Sequence, residues 1–154
     1  MPSLLLLLPA GLLALQSQPL TATELSLGAT AVMAHRTFAG GELGLAHRPS
    51  ADSRIALVLA GGAISGEPAM RAQLTVQLLV NSLARSGAGV YAAVGGAFAG
   101  ERGAPGQGFL ALLLGVEAAP GRRKAWYVEL GFAGGVRAAA GWRIRSFPRW
   151  WSGG

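Results

Sequence analysis

Arg71–Asn81 reads RAQLTVQLLVN. Ala72, Leu74, Val76, Leu78 and Val80 take every second position, and Arg71, Gln73, Thr75, Gln77 and Asn81 lie between them, with Leu79 the one apolar residue on their side. Side chains alternate across a strand, so this segment has one apolar and one largely polar face. A helix built from the same letters would mix Gln and Leu on every side. The spacing predicts a β-strand of about ten residues, the length of a tilted strand crossing a bilayer.

The alternation recurs on both sides of that stretch. Upstream, Thr23–Arg36 sets Leu25, Leu27, Ala29, Ala31 and Met33 against Glu24, Ser26, Gly28 and Thr30. Gly40–Arg48 sets Leu43 and Leu45 against Glu42, Gly44 and Ala46, and Ser53–Ser65 sets Ile55, Leu57, Leu59 and Ala63 against Arg54, Ala56, Val58 and Ala60. Downstream the pattern covers Gly89–Glu101, Phe109–Ala118, Trp126–Phe132 and Val136–Phe147. Turn-forming clusters separate the segments: Pro49–Asp52, Gly66–Pro68, Ala84–Ala88, Arg102–Gly108, Pro120–Lys124 and Gly134–Gly135. Eight strands joined by short turns predict an all-β, antiparallel up-and-down barrel over residues 23–148, followed by a tail at 149–154.

Residues 1–22 read as a cleaved secretory signal peptide, with a leucine-rich core, Leu4–Leu15, and a small residue, Ala22, before Thr23. Pro9 and Gly11 interrupt the apolar run, which is short for a spanning helix. The absence of Cys excludes disulfides, thiolate metal sites and a lipidated N-terminal Cys. The net charge of +6 comes from scattered arginines with only Arg122-Arg123-Lys124 adjacent, and no nucleic-acid motif accompanies it, so nucleic acid is not an expected partner.

Two barrels fit this alternation. A soluble lipocalin-like barrel turns the apolar face inward, and a membrane barrel turns it to lipid. The second face is rich in Gly and Ala, such as Gly28, Gly44, Ala56, Ala93, Gly95, Ala97, Gly115, Gly131 and Gly141. These are poor strand formers on a solvent-washed surface, but they suit an interior just wide enough for side chains to fill. Only 13% of residues are charged and there is a single Lys, too few to clothe a soluble outer face. The membrane barrel is therefore expected, its lumen holding a structural charge cluster of Glu24, Glu42, Arg71, Glu117, Glu129, Arg137, Arg143 and Arg145, with Arg54 on the same face. Charges in so narrow a space must be paired, and Glu129 with Arg143 is the expected pair on the last two strands.

This pattern resembles the small eight-stranded outer-membrane β-barrel proteins of Gram-negative bacteria, the architecture of the OmpA transmembrane domain and of OmpX. The resemblance covers the whole chain after the leader and rests on strand pattern and leader rather than on a motif. It implies a monomer in the bacterial outer membrane, with membrane lipid and the barrel-assembly machinery as partners. That machinery reads an aromatic residue at the end of the last strand in the family; here the strand ends near Phe147, with Trp150 and Trp151 beyond it.

No catalytic, cofactor-binding or metal-binding set emerges. His35 and His47 lie at strand ends and read as rim residues, and Asp52 and Ser53 near His47 lack a nucleophile elbow. Trp126, Trp142, Trp150, Trp151, Tyr127 and Phe38 are expected in interfacial girdles. The expected role is a structural one in the envelope. The alternative is binding or passage of a small apolar ligand along Val58, Leu79 and Leu113, and a lipid-modifying enzyme is a distant third.

Overall fold

The alternation closes on itself. A computed structural model describes residues 20–151, in which eight strands form a closed antiparallel barrel in sequence order. They are β1 (Ala22–Met33), β2 (Phe38–Arg48), β3 (Ser53–Ile64), β4 (Glu67–Val80), β5 (Ala88–Glu101), β6 (Gln107–Ala118), β7 (Lys124–Ala133) and β8 (Val136–Ser146). The leucine-rich leader core lies outside the described residues. Leu20 and Ala22, which the sequence places at the end of the leader, here pack against Phe147 at one end of the barrel.

The register sets the barrel's dimensions. Cross-strand partners run from Thr23 through His47, Ile55, Val76, Val94, Leu112, Phe132 and Val136, and Val136 pairs back on β1 with Met33. The walk returns ten residues further along β1, so eight strands close with a shear of ten. With strands about 4.8 Å apart and about 3.3 Å per residue, this gives a tilt of about 40° and a radius of about 8 Å. Both values suit a small membrane barrel.

The tightest turns use residues that tolerate positive φ. Ser65 (52°) and Gly66 (89°) form the β3–β4 hairpin, and Gly134 (75°) and Gly135 (149°) form the β7–β8 hairpin. The β3–β4 turn is shorter than its Gly66–Pro68 signal suggests. Glu67 and Pro68 already belong to β4, where Pro68 sits at the strand's start and faces Ala63. Because the strand number is even, both described ends of the chain lie at one mouth with the turns 49–52, 81–87 and 119–123. This mouth is the termini end; the far end carries the turns 34–37, 65–66, 102–106 and 134–135.

The faces sort as the alternation predicts. Leu78 is 65% exposed on the outside, while its neighbour Gln77 is 2% exposed within. Leu25, Leu43, Leu57, Leu74, Val94, Leu112, Leu130 and Ile144 carry the apolar belt round all eight strands. Glu24, Glu42, Arg54, Glu117, Glu129, Arg137, Arg143 and Arg145 are buried. A lipocalin-like arrangement, apolar inside and polar outside, is the reverse of this one.

Substitution on the two faces of β4 therefore has unequal consequences. Val76→Arg should cost about 2–4 kcal/mol in a bilayer, the penalty of a guanidinium on the lipid face near the midplane. Thr75→Val removes an acceptor used by the Gln77 side chain at 3.2 Å and should cost only about 1 kcal/mol. Urea unfolding of both variants in phosphatidylcholine vesicles measures the difference, and equal losses would reverse the face assignment.

Candidate functional site: the charged lumen

The inward residues stack in three layers. Nearest the termini end, Glu24 on β1 and Glu117 on β6 are shared by four arginines. Arg54 Nη1 lies 2.5 Å from Glu24 Oε2 and 3.1 Å from Glu117 Oε2, and Arg145 Nη2 lies 3.0 Å from Glu117 Oε2. Arg48 Nε sits 3.1 Å from Glu24 Oε1, and Arg143 Nη1 donates to Glu117 Oε2. Arg54 Nε also donates to Gln77 Oε1 at 2.8 Å. Every member of this layer is buried.

The middle layer inverts the ratio, with one arginine between two carboxylates. Arg137 Nη2 donates to Glu42 Oε2 at 2.6 Å, and its Nη1 donates to Glu129. Two tyrosines join this layer to the one below. Tyr127 donates to Glu42 at 2.8 Å and Tyr91 to Glu129 at 2.9 Å. The Arg143 guanidinium lies 4.7 Å from the Tyr127 ring centre and 5.5 Å from that of Tyr91, within the range of a cation–π contact. Glycines leave space for the rings: a Cβ on Gly115 would meet the Tyr91 ring, and one on Gly28 would meet the Tyr127 hydroxyl.

The upper layer, toward the far end, is mostly apolar. Val32, Phe38, Ala60 and Ala69 form one cluster, and Ala97, Ala111 and Ala133 another with Phe109 against it. Arg71 lies between them, 5.7 Å from the Phe38 ring and 5.9 Å from that of Phe109, and donates to the Ala133 carbonyl. Above it a pocket of about 360 Å³ opens at the far mouth, lined by His35, Arg71, Glu101 and Phe109 among others. Arg36 spans that mouth with a bidentate pair to Glu101 at 2.7 and 2.8 Å. Deeper in the lumen, two voids of about 10 Å³ each separate the layers, room for a single water at most.

The eight charged residues named from the sequence all point inward, but they do not form one cluster. Arg71 stands apart from the carboxylates. Glu129 pairs with Arg137 rather than Arg143, because the β7–β8 register sets Glu129 opposite Ala139, two residues from Arg137 and four from Arg143. Arg143 turns instead to Glu117 and Glu24. The sequence reading missed Arg48, although it shares the parity of Glu42, Gly44 and Ala46, and it left Arg54 out of the cluster.

Tyr127 and Phe38 were expected in girdles, yet both are buried in the lumen. Tyr127 has the parity of Glu129, and Phe38 that of Glu42, which is the signal that residue type overrode. Trp126 and Trp142 do face outward, as a directly opposed pair on β7 and β8. His47 points outward, Asp52 accepts a hydrogen bond from Ser82 at 3.0 Å, and Ser53 pairs with Ser50 at 2.7 Å, so these residues do not converge.

No family model matches the sequence, and no curated protein matches it. Solved structures do share its fold. The N-terminal β-barrel domain of OprF from Pseudomonas aeruginosa aligns with a TM-score of 0.58 at 14% identity, covering 82% of this chain and 97% of that one. The chain has the fold of the small eight-stranded barrels. Ail, the attachment invasion locus protein of Yersinia pestis, solved with the heparin analogue sucrose octasulfate, aligns at 0.52 and 9% identity over 84% of this chain and all of that one. Neisserial surface protein A aligns at 0.52 and 12% identity, over 80% and 96% respectively. Identities this low carry the fold and no residue roles.

The pairing can be read by a double-mutant cycle. Glu129→Ala should cost about 3–5 kcal/mol by leaving Arg137 uncompensated in the lumen. Adding Arg137→Ala should recover part of that loss. Adding Arg143→Ala instead should lose more, since Arg143 serves Glu117 and Glu24. Unfolding free energies of the wild type, the three single variants and the two double variants in one detergent give both coupling energies.

Proposed function

We propose that this protein is an integral barrel of the bacterial outer membrane with a sealed lumen, and that its role is structural, tying the envelope together without catalysis. The observation that carries this reading is the inversion of faces: a continuous apolar belt outside and paired charges within. In water such an outside would be an unprotected apolar surface, whereas in lipid it is the required one. The three structural neighbours are outer-membrane barrels, which supports the same location. Membrane lipid is then the permanent partner, and the barrel-assembly machinery the partner during insertion. A closed sheet leaves no open edge, which favours a monomer.

Passage of a ligand has less support. Leu79 and Leu113, which could have lined an apolar path, are buried among the filler residues, and the inner voids hold no more than a water each. In planar bilayers the wild type should show no steady conductance. A stable open channel would overturn the sealed lumen and favour transport. In cells the chain should fractionate with the outer membrane, and N-terminal sequencing should place the mature start near Thr23. An uncleaved chain in the inner membrane would overturn the location.

A further inference from the structure

The charges outside the lumen are unevenly divided. At the far end Arg36 and Arg102 are balanced by Glu67 and Glu101. The termini end carries Arg85, Arg122, Arg123, Lys124 and Arg149, all exposed, against Asp52 alone. This end thus holds four of the six net positive charges, and the lumen, with six arginines against four glutamates, holds the other two. The cations are also clustered round the barrel. Arg85 lies in the β4–β5 turn, Arg122–Lys124 follow β6, and Arg149 follows β8, whereas Asp52 belongs to the β2–β3 turn.

The same strands carry a groove on the lipid face. It holds about 1030 Å³ and is lined by Val76, Leu78, Ala92, Leu114, Leu130 and Phe132 among others. Ala92 helps create it, being a small residue between its larger row partners Leu78 on β4 and Leu114 on β6. Between belt and cations stand tryptophans. Trp126 and Trp142 are exposed on β7 and β8, and Trp150 is exposed just beyond. Trp151 donates its indole N–H to the Gly121 carbonyl at 3.1 Å and lies under the Arg85 guanidinium at 4.7 Å. These contacts, with the Gly121 N–H to Ala84 carbonyl bond at 2.8 Å, tie the tail to the 81–87 and 119–123 turns and hold the two cation-bearing turns beside each other.

We propose that this side of the barrel is a binding site for an anionic phospholipid. Its phosphate sits among Arg85, Arg122, Arg123 and Lys124, and its acyl chains lie in the groove over β4–β7. The inference rests on the membrane reading and adds to it a preferred lipid and a preferred side. A nucleic acid would satisfy the cations and leave the groove and tryptophans unused. A zwitterionic lipid would fill the groove and leave the cations without a net counter-charge. An anionic phospholipid matches all three features, and juxtamembrane cations act additively on such headgroups.

The test refolds the chain into vesicles of phosphatidylcholine, alone or mixed with phosphatidylglycerol, and counts co-purifying lipid by mass spectrometry after gentle detergent extraction. The wild type should retain phosphatidylglycerol over phosphatidylcholine, and rising salt should erode the preference. Each lost cation should weaken retention about fivefold, so R122Q, R123Q and K124Q combined should weaken it on the order of a hundredfold. R102Q at the far end should leave it unchanged. Ala92→Phe, which fills the groove, should lower retention with every cation in place, and inorganic phosphate should displace no more lipid than chloride at the same ionic strength. Equal retention of the two lipids, a preference indifferent to salt, or displacement by phosphate beyond that by chloride at equal ionic strength would overturn the site while leaving the membrane barrel standing. Failure to insert into either vesicle would overturn both.

Discussion

A guanidinium fully buried in a barrel of about 8 Å radius has to meet a carboxylate, because its lost hydration costs several kcal/mol. Most of the interior follows from that constraint. Arg48, Arg54, Arg143 and Arg145 converge on Glu24 and Glu117, and Arg137 is clamped between Glu42 and Glu129. Arg71, which has no carboxylate in reach, is held by a backbone carbonyl and two aromatic faces. The pairs draw on β1, β2, β3, β6, β7 and β8, so each ties together strands that need not be neighbours in the sheet. The outward belt can vary among apolar residues, but the inner network specifies one register.

Small residues make the network possible. Large side chains at every inward position would overfill an eight-stranded lumen, and alanines at every one would leave it hollow. The chain alternates the two. Gly115 leaves room for Tyr91, Gly28 leaves room for the Tyr127 hydroxyl, and Gly141 lets β8 approach the Leu27–Gly28 backbone of β1. The tyrosine hydroxyls then reach the middle carboxylates while their rings lie beside the arginines below. The glycines cost strand propensity, which closure of the sheet offsets through a complete ladder of backbone hydrogen bonds.

The architecture was legible because a period of two needs no knowledge of pairing. Parity put Leu74 and Gln77 on opposite faces, and the Gly and Ala of the second face with the scarcity of charge turned that face inward. Turn chemistry at Gly134-Gly135 located the last hairpin. Partnership was not legible, because it depends on the shear, and no single strand encodes how far its neighbour slides. Glu129 reaches Arg137 rather than Arg143 for that reason. Tyr127 and Phe38 were misplaced for another: the general habit of aromatic residues at membrane interfaces was weighed above their position in the alternation. Arg48 lay at the end of a strand, where the extent of the alternation is hardest to judge.

The seam between β1 and β8 is paired over as many residues as the β1–β2 hairpin, from Thr23 opposite Ser146 to Met33 opposite Val136. Every other strand pairing in the sheet is between chain neighbours. The molecule is therefore a ring in which the break between first and last strand has no mechanical privilege. A circularly permuted chain, joined across the seam and opened at Ser65–Gly66, would keep every strand beside its present neighbours. It would exchange only which closure spans the whole chain, and with it which pairing carries the largest loop entropy. The pairing of the strands in this sense does not depend on which of them comes first in the chain.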